Sequence, residues 1–211
     1  HLEQNVLLNT FESIHIRPLF DPLGGELVLS FSGPQNLNWV REFYYNMESI
    51  DDIGPSFKTW VRSKSITVTT DLIRELLGIS KVFPIFYPFP VRPTYDFNEV
   101  ATALCGISRP WLPCSLIKQN ELLLQFRLLN LIVCANIIVT THNSEINQEQ
   151  GFVLYCIAHH HSIDLVTLII SKMVVAFECN YLGLPYGCLI NRLLTRFEVP
   201  SFDEDDFVSP F

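Results

Sequence analysis

Residues 122–139, LLLQFRLLNLIVCANIIV, are the stretch of sequence that decides the fold. Their apolar side chains would cover nearly every face of a helix, which is typical of a helix surrounded by other helices. Four polar residues interrupt the stretch, and Arg127 argues against a membrane span because an arginine near mid-bilayer costs at least about 2.5 kcal/mol. The sequence therefore predicts a long buried central helix over 118–139 and no membrane partner.

Capping signals predict shorter helices around the central one. Asn147 and Gln150 resemble a capping box, which begins a helix that ends near Ala158, and Asp164 is suited to cap the helix that follows. The other helices predicted in this half cover residues 96–104, 165–180 and 186–197. The acidic run DEDD at 203–206 is predicted to be a solvated tail.

The first half of the chain predicts less regular structure. WVREFYYNM has apolar side chains at helical spacing and predicts a helix over 36–47, whereas FKTWVRSKSITVT alternates and predicts a hairpin with its turn at 63–65. Thr70 is suited to cap a short helix that Gly78 ends. Residues 83–93, rich in proline and aromatic side chains, predict an extended strap on the core, and a docking motif for an aromatic groove is the alternative.

Together these signals predict a mainly α fold. We expect a single helical domain over 1–202, with a long buried central helix and a small β-hairpin in its N-terminal half. An acidic tail over 203–211 would follow it.

Composition limits the classes of function. Hydrophobic residues make up 48% of the 211 residues and charged residues only 17%, so much of the chain should be buried in its own core or against a partner. The formal net charge of −8 disfavours nucleic-acid binding, because affinity for phosphates comes mainly from lysine and arginine.

Cysteine usage favours a reducing compartment. The six cysteines include no C-x-x-C pair and are too sparse for the disulfide framework of a small secreted domain. The sequence also lacks a glycosylation acceptor and a charged-then-apolar leader. We therefore expect an intracellular protein of the cytoplasm or nucleus.

Cys156 and the histidine triplet 159–161 raise the question of a metal site. If a helix ends near Ala158, the adjacent histidines lie in a turn and point in different directions. Cys156 and His159 would form one ligand pair only if the helix continued, and no second pair has the spacing of a structural zinc site. We expect no metal or other cofactor.

A nucleophile and base could be formed by Cys156 or Cys134 with His142, since such partners meet in space and need not be adjacent in sequence. Six cysteines and six histidines produce such pairs by chance. The sequence carries no nucleophile-elbow, phosphate-loop or dinucleotide-binding motif. We predict no catalytic residues and no enzymatic activity.

Four segments carry a known pattern: WVREFYYNM at 39–47, WVRSKSITVTTDLIRELLGI at 60–79, IVTTHNSEINQEQGFVLYCI at 138–157 and HSIDLVTLIISKM at 161–173. In this order they resemble the putative plant transposon protein domain, a family of retroelement-derived plant proteins, over roughly residues 35–200. Ser63 and Val139 stand where that pattern usually has glycine and proline. The resemblance implies a plant source and mobile-element ancestry, and it brings no catalytic residues.

The leading hypothesis is a non-enzymatic protein-interaction or scaffold module derived from a mobile element, with protein partners and self-association as uses of its apolar surface. The alternative is a nucleic-acid-associated or capsid-like component of a retroelement, which requires the basic side chains between 41 and 74 to converge on one face. An enzyme would require a pocket at Cys156 or His142. The candidate partner surface consists of Arg41, Tyr44, Tyr45, Lys58, Trp60, Arg62, Lys64 and Arg74.

Overall fold

The computed structural model describes residues 17–20, 33–51, 53–88, 95–140, 143–179 and 183–208. Among these residues there are eight α-helices and seven strands, and the strands form three sheets. The fold is therefore mixed α/β, and the prediction of a mainly α fold with one hairpin is wrong. Most of the missed strands are only two residues long, which is too short to show an alternating pattern.

The elements follow one another along the chain in a mixed order. The helices are α1 Arg17–Phe20, α2 Leu37–Tyr45, α3 Thr70–Leu77, α4 Phe97–Cys105, α5 Leu124–Asn136, α6 Gln148–Ala158, α7 Leu165–Glu178 and α8 Gly187–Arg196, with a 3₁₀ turn at Gln119–Glu121. The strands are β1 Gln35–Asn36, β2 Glu48–Asp51, β3 Ser56–Val61, β4 Lys64–Thr69, β5 Ile117–Lys118, β6 Glu145–Ile146 and β7 Phe207–Val208.

The largest sheet is antiparallel, in the order β2-β3-β4. Its β3–β4 hairpin is the one predicted from the sequence, and β2 adds a third strand. Arg62 and Ser63 form the two-residue turn, with φ of 50° and 65°. Positive φ at both central residues matches the right-handed twist of the flanking strands, and glycine or asparagine usually serves there.

Helix α7 connects two hydrophobic cores. Leu165 and Leu168 pack into the core formed by α4, α5 and α6. Val166 and Ile169 pack into the core formed by α2, α3, α8 and the three-stranded sheet. The central helix of the fold is therefore α7, which lies in the second apolar run of the sequence. None of the helices in the described ranges has both the length and the apolar character that a membrane span requires.

The helix predicted over 118–139 is shorter and less buried than expected. It begins at Leu124 as α5, because Ile117 and Lys118 pair with β6 and a 3₁₀ turn follows them. The guanidinium of Arg127 donates to the carbonyl of Leu122 at 2.7 Å, which occupies a backbone acceptor just before the helix. One face of α5 is exposed, so the prediction of a fully surrounded helix is wrong.

Most capping predictions are confirmed. Asn147 and Gln150 form the capping box of α6, and Asp164 accepts from the Thr167 amide at the start of α7. Gly78, with a φ of 63°, ends α3. The cap of α3 is Thr69 and not Thr70, because β4 continues directly into the helix.

Part of the segment predicted as a strap contacts the turn before α7, whereas Phe83 at its start is exposed. The backbone amides of Phe86 and Tyr87 both donate to the Ser162 carbonyl, and the Asp164 amide donates to the Tyr87 carbonyl at 2.7 Å. The Ser162 hydroxyl donates to the Pro84 carbonyl at 2.6 Å. Residues 89–93 of the predicted strap lie outside the described residues.

The acidic segment at 203–206 is not a solvated tail. Asp205 is paired inside the fold, and β7, which follows the segment, pairs antiparallel with β1 near the start of the described chain. The amide of Leu37 also donates to the Asp206 carbonyl at 2.8 Å. The end of the described chain is thereby tied to α2. The division into a domain over 1–202 stays a prediction.

Candidate interaction surface

The outer face of the three-stranded sheet brings exposed aromatic and charged side chains together. Phe57, Thr59 and Val61 of β3 are buried beneath the sheet. Lys58 and Trp60 lie between them in sequence and are exposed, because successive side chains of a strand point to opposite faces. Trp60 keeps 45% of its surface exposed.

Trp60 is held in place by two neighbouring polar residues. Its indole N–H donates to Glu48 Oε1 at 3.3 Å, and its carbonyl accepts from Asn46 Nδ2 at 2.8 Å. Tyr45 precedes Asn46 and is 87% exposed. Lys58 lies directly opposite Glu48 in the register of β2 and β3. We call the surface formed by Tyr45, Glu48, Lys58 and Trp60 the sheet face.

The structure separates the two adjacent tyrosines of the predicted partner surface. Tyr44 is buried, and its hydroxyl donates to the Pro185 carbonyl at 3.0 Å. Val40, Phe43 and Tyr44 share the buried face of α2, whereas Tyr45 is turned away from it. This separation could have been found in the sequence, because residues at i, i+3 and i+4 lie on one side of a helix.

Arg62 is an ion-pair centre at the hairpin turn. Its guanidinium pairs with Asp205, and its Nε lies 3.3 Å from Glu42 Oε2 without hydrogen-bond geometry. Its backbone amide donates to Glu42 Oε1 at 2.7 Å. The ring of Phe202 lies against the guanidinium, with its centroid 4.5 Å from Cζ. Arg62 therefore joins α2, the hairpin and the acidic segment.

Asp205 is buried at the other end of this ion pair. Its side chain is 2% exposed and accepts from Asn36 Nδ2 at 2.7 Å and from the Phe202 amide at 2.9 Å. Burial by itself raises the pKa of Asp205, but the hydrogen bonds from Phe202, Asn36 and Arg62 outweigh it. The pKa of Asp205 is consequently lowered from its ordinary 3.8.

Arg74 forms a second internal ion pair, between α3 and the start of α7. Its Nη2 lies 2.6 Å from Asp164 Oδ2, and the two side chains are only 10% and 6% exposed. Its Nη1 also lies 3.4 Å from the exposed carboxylate of Asp71. Asp164 accepts from both the amide and the hydroxyl of Thr167. The same carboxylate therefore caps α7 and neutralises Arg74.

The five predicted basic side chains do not form one free phosphate-binding patch. Arg62 and Arg74 are taken up by the pairs above, and the exposed Arg41 lies 3.0 Å from Asp206 Oδ2. Within the described ranges, Lys58 and Lys64 are the members of this set that have no carboxylate within 4.0 Å. The carboxylate closest to each of these three arginines lies at least 90 positions away in sequence, which is why the sequence did not reveal it.

The histidine turn packs against aromatic side chains. α6 ends at Ala158, and the ring of His159 stacks on Tyr155 with centroids 4.0 Å apart. His161 stacks on Phe86 of the strap at 4.1 Å. Burial, followed by the proximity of His159, lowers the pKa of His161. Among the residues that the structure describes, no group of three His, Cys, Asp or Glu side chains is placed to hold a metal ion.

The two candidate nucleophilic thiols are buried. Burial raises the pKa of Cys134 to about 11, against a small opposing effect of Gln150, and raises that of Cys156 to about 12. A cysteine is nucleophilic as the thiolate, which such pKa values make rare at neutral pH. Their proposed base, His142, lies outside the described residues.

We expect a thiol reagent at pH 7 to modify Cys114 within minutes and to modify Cys134 and Cys156 only after unfolding. Cys114 is exposed, whereas the other two thiols combine burial with a raised pKa. Peptide mass spectrometry after a short exposure to iodoacetamide, with and without guanidinium, measures this order. Rapid modification of Cys156 in the native protein would contradict it.

Comparison with known proteins identifies a family. A family model described as a putative plant retrotransposon-related domain matches residues 23–200. It covers most of the chain and confirms the resemblance carried by the four segments. No curated protein and no solved structure matches this chain.

Proposed function

Because the chain belongs to the putative plant retrotransposon-related domain family, we propose that it is a non-enzymatic protein-interaction module derived from a plant mobile element. It acts inside the cell, in the cytoplasm or nucleus, and its partner binds the sheet face. The single observation that carries this proposal is Trp60, a half-exposed residue whose indole N–H donates to Glu48 and whose backbone carbonyl accepts from Asn46.

An indole held in this way is suited to anchor a protein partner. Tryptophan and tyrosine dominate the binding energy of many protein interfaces, because they offer a large apolar area and lose little conformational entropy. Trp60 and Tyr45 supply that area on the sheet face. Lys58 lies beside them, so the partner that fits presents an apolar side chain to the rings and a carboxylate to the lysine.

The arginine ion pairs favour a protein partner over a nucleic acid. Arg62 and Arg74 contact carboxylates within the fold, and the whole chain carries a net charge of −8. Binding to a phosphate backbone depends on several free cations on one surface. Among the described residues of the predicted basic patch, Lys58 and Lys64 are the members without such a pair, and two cations are too few to hold a duplex against that net charge.

The non-enzymatic part of the proposal is supported by the side chains that could have carried chemistry. Cys134 and Cys156 have raised pKa values, and His159 and His161 stack on aromatic rings. A nucleophile requires an adjacent base or a lowered pKa. Neither thiol shows a lowered pKa.

The test is affinity purification from plant extract, with and without nuclease, using the full chain and two variants. The Tyr45→Ala, Trp60→Ala double variant removes both rings of the sheet face. The control, Phe83→Ala, removes an equally exposed aromatic ring from the strap. Equal thermal stability of the three proteins shows that the substitutions leave the fold intact.

We expect the wild type and Phe83→Ala to retain the same protein partners after nuclease treatment, and the double variant to lose them. Partners that stay bound to the double variant would refute the sheet face as the binding surface. Partners that disappear on nuclease treatment would refute a protein-binding function and favour the nucleic-acid alternative.

A further inference from the structure

The exposed side of α5 carries leucines at helical spacing. Leu124, Leu128 and Leu131 stand at i, i+4 and i+7, so they lie on one face of the helix. Leu124 is 64% and Leu131 43% exposed, whereas Leu128 is partly buried against the core. The opposite side, which includes Phe126 and Leu129, is buried. Helix α5 is therefore apolar on both sides, although only one side packs into the core.

The apolar surface continues beyond the helix. The Leu123 amide donates to the Leu104 carbonyl at 2.9 Å, and the Leu123 side chain packs so closely that a Cβ on Gly106 would lie 3.0 Å from it. Ile107 follows Gly106 and is exposed, as is Leu123. We call this surface, formed by Ile107, Leu123, Leu124, Leu128 and Leu131, the leucine stripe.

We propose that the leucine stripe is where a second copy of this chain docks, forming a two-fold symmetric dimer. Its four most exposed side chains present on the order of 400 Å² of apolar surface, a size at which exposed patches usually serve an interaction. A standard interface uses roughly 800 Å² from each partner. The stripe supplies about half of that area, so the dimer is weak and its population depends on concentration.

The charges around the stripe favour a second copy over a partner of one strong sign. Arg109 and Glu121 form an ion pair of 2.8 Å close to Leu123, so the rim carries both signs. In a two-fold interface the same patch meets itself, and a rim with both signs is then complementary to its own copy. The five residues of the leucine stripe are uncharged, so the negative net charge of the two copies does not produce repulsion between charged side chains of the stripe.

The spacing of the leucines supports the same conclusion. Side chains at i, i+4 and i+7 have the alternating four- and three-residue spacing of a coiled-coil seam, which two identical helices can share. An extended peptide would find no free strand edge on α5, because the backbone hydrogen bonds of a helix are satisfied internally. The sheet face lies on the other core, so this proposal does not depend on the proposed function.

The test is sedimentation equilibrium of the full chain from about 1 µM to about 300 µM, a range that spans the dissociation constant expected of so small an interface. The Leu124→Glu, Leu131→Glu double variant places four carboxylates in each dimer contact. The control, Val175→Glu, adds a carboxylate at an exposed apolar position of α7. Circular dichroism melts confirm that all three proteins fold.

We expect the wild type and Val175→Glu to shift from the mass of one chain toward twice that mass as concentration rises. The double variant should keep the mass of one chain, with a dissociation constant at least about tenfold weaker. A wild type that stays monomeric at the highest concentration, a double variant that still dimerises, or a mass beyond two chains would each overturn the proposal. The Tyr45→Ala, Trp60→Ala variant should dimerise normally, which separates this result from that for the sheet face.

Discussion

Replacing Asp164 with alanine is expected to lower the free energy of unfolding by about 4 kcal/mol. The substitution removes the side-chain cap of α7, which is the helix shared by both cores. It also leaves the guanidinium of Arg74 buried without the carboxylate at 2.6 Å. Removing one member of a buried ion pair is costly because the remaining charge loses its partner but not its burial.

Asp164→Asn separates these two contributions. The amide oxygen still accepts from Thr167 and caps the helix, but the charge is gone, so we expect this variant to be more stable than Asp164→Ala by about 1 kcal/mol. The control is Asp71→Ala, which removes the exposed carboxylate near the same arginine and should cost about 0.5 kcal/mol or less. Urea unfolding measures all three variants. An Asp164→Asn protein as stable as the wild type would show that the ion pair adds no stability.

Replacing Arg62 with methionine is expected to lower the free energy of unfolding by about 3 kcal/mol. The substitution keeps an apolar chain of similar length but leaves Asp205, whose side chain is 2% exposed, without its cation. The acidic segment should then detach from α2. Hydrogen exchange at the Leu37 amide, which donates to Asp206, should accelerate.

The effect of Arg62→Met should depend on pH in a defined direction. The pKa of Asp205 is lowered from 3.8 in the folded protein, so the stability from this carboxylate is present above that value and is lost as pH falls through the folded pKa. The difference in the free energy of unfolding between the wild type and Arg62→Met should therefore become smaller as the solution is acidified. Arg41→Met, which removes an exposed pair with Asp206, is the control and should cost about 0.5 kcal/mol. If Arg62→Met and Arg41→Met lowered the free energy of unfolding equally, the ion pair between Arg62 and the buried Asp205 would not have the stabilising role assigned to it.

Local signals in the sequence were sufficient where a structure depends on nearby residues. The hairpin followed from alternation, the α6 capping box from Asn147 and Gln150, and the start of α7 from Asp164. Each depends on residues within one element or one turn. The burial of Tyr44 could also have been deduced from the periodicity of α2.

Pairing between distant segments could not be read from one sequence. Glu42, Asp164 and Asp205 look like solvated or capping carboxylates until the fold brings them to their arginines, across as many as 143 positions in the case of Arg62 and Asp205. Residues 118–123 contain no proline or glycine, so they do not indicate that the helix begins only at Leu124. The pairing of Ile117 with Ile146 overrides their local preference. The sheet face was predicted in part, but Glu48 was missed because β2 is short and irregular.

The most direct measurement of the central claim is photo-crosslinking from the sheet face. A photoreactive phenylalanine derivative at position 45 replaces an exposed tyrosine ring, and the same residue at position 83 serves as the control. After irradiation in plant extract, we expect position 45 to form protein adducts that resist nuclease, and position 83 to form none of them. Adducts with nucleic acid at position 45, or the same protein adducts at both positions, would contradict the account.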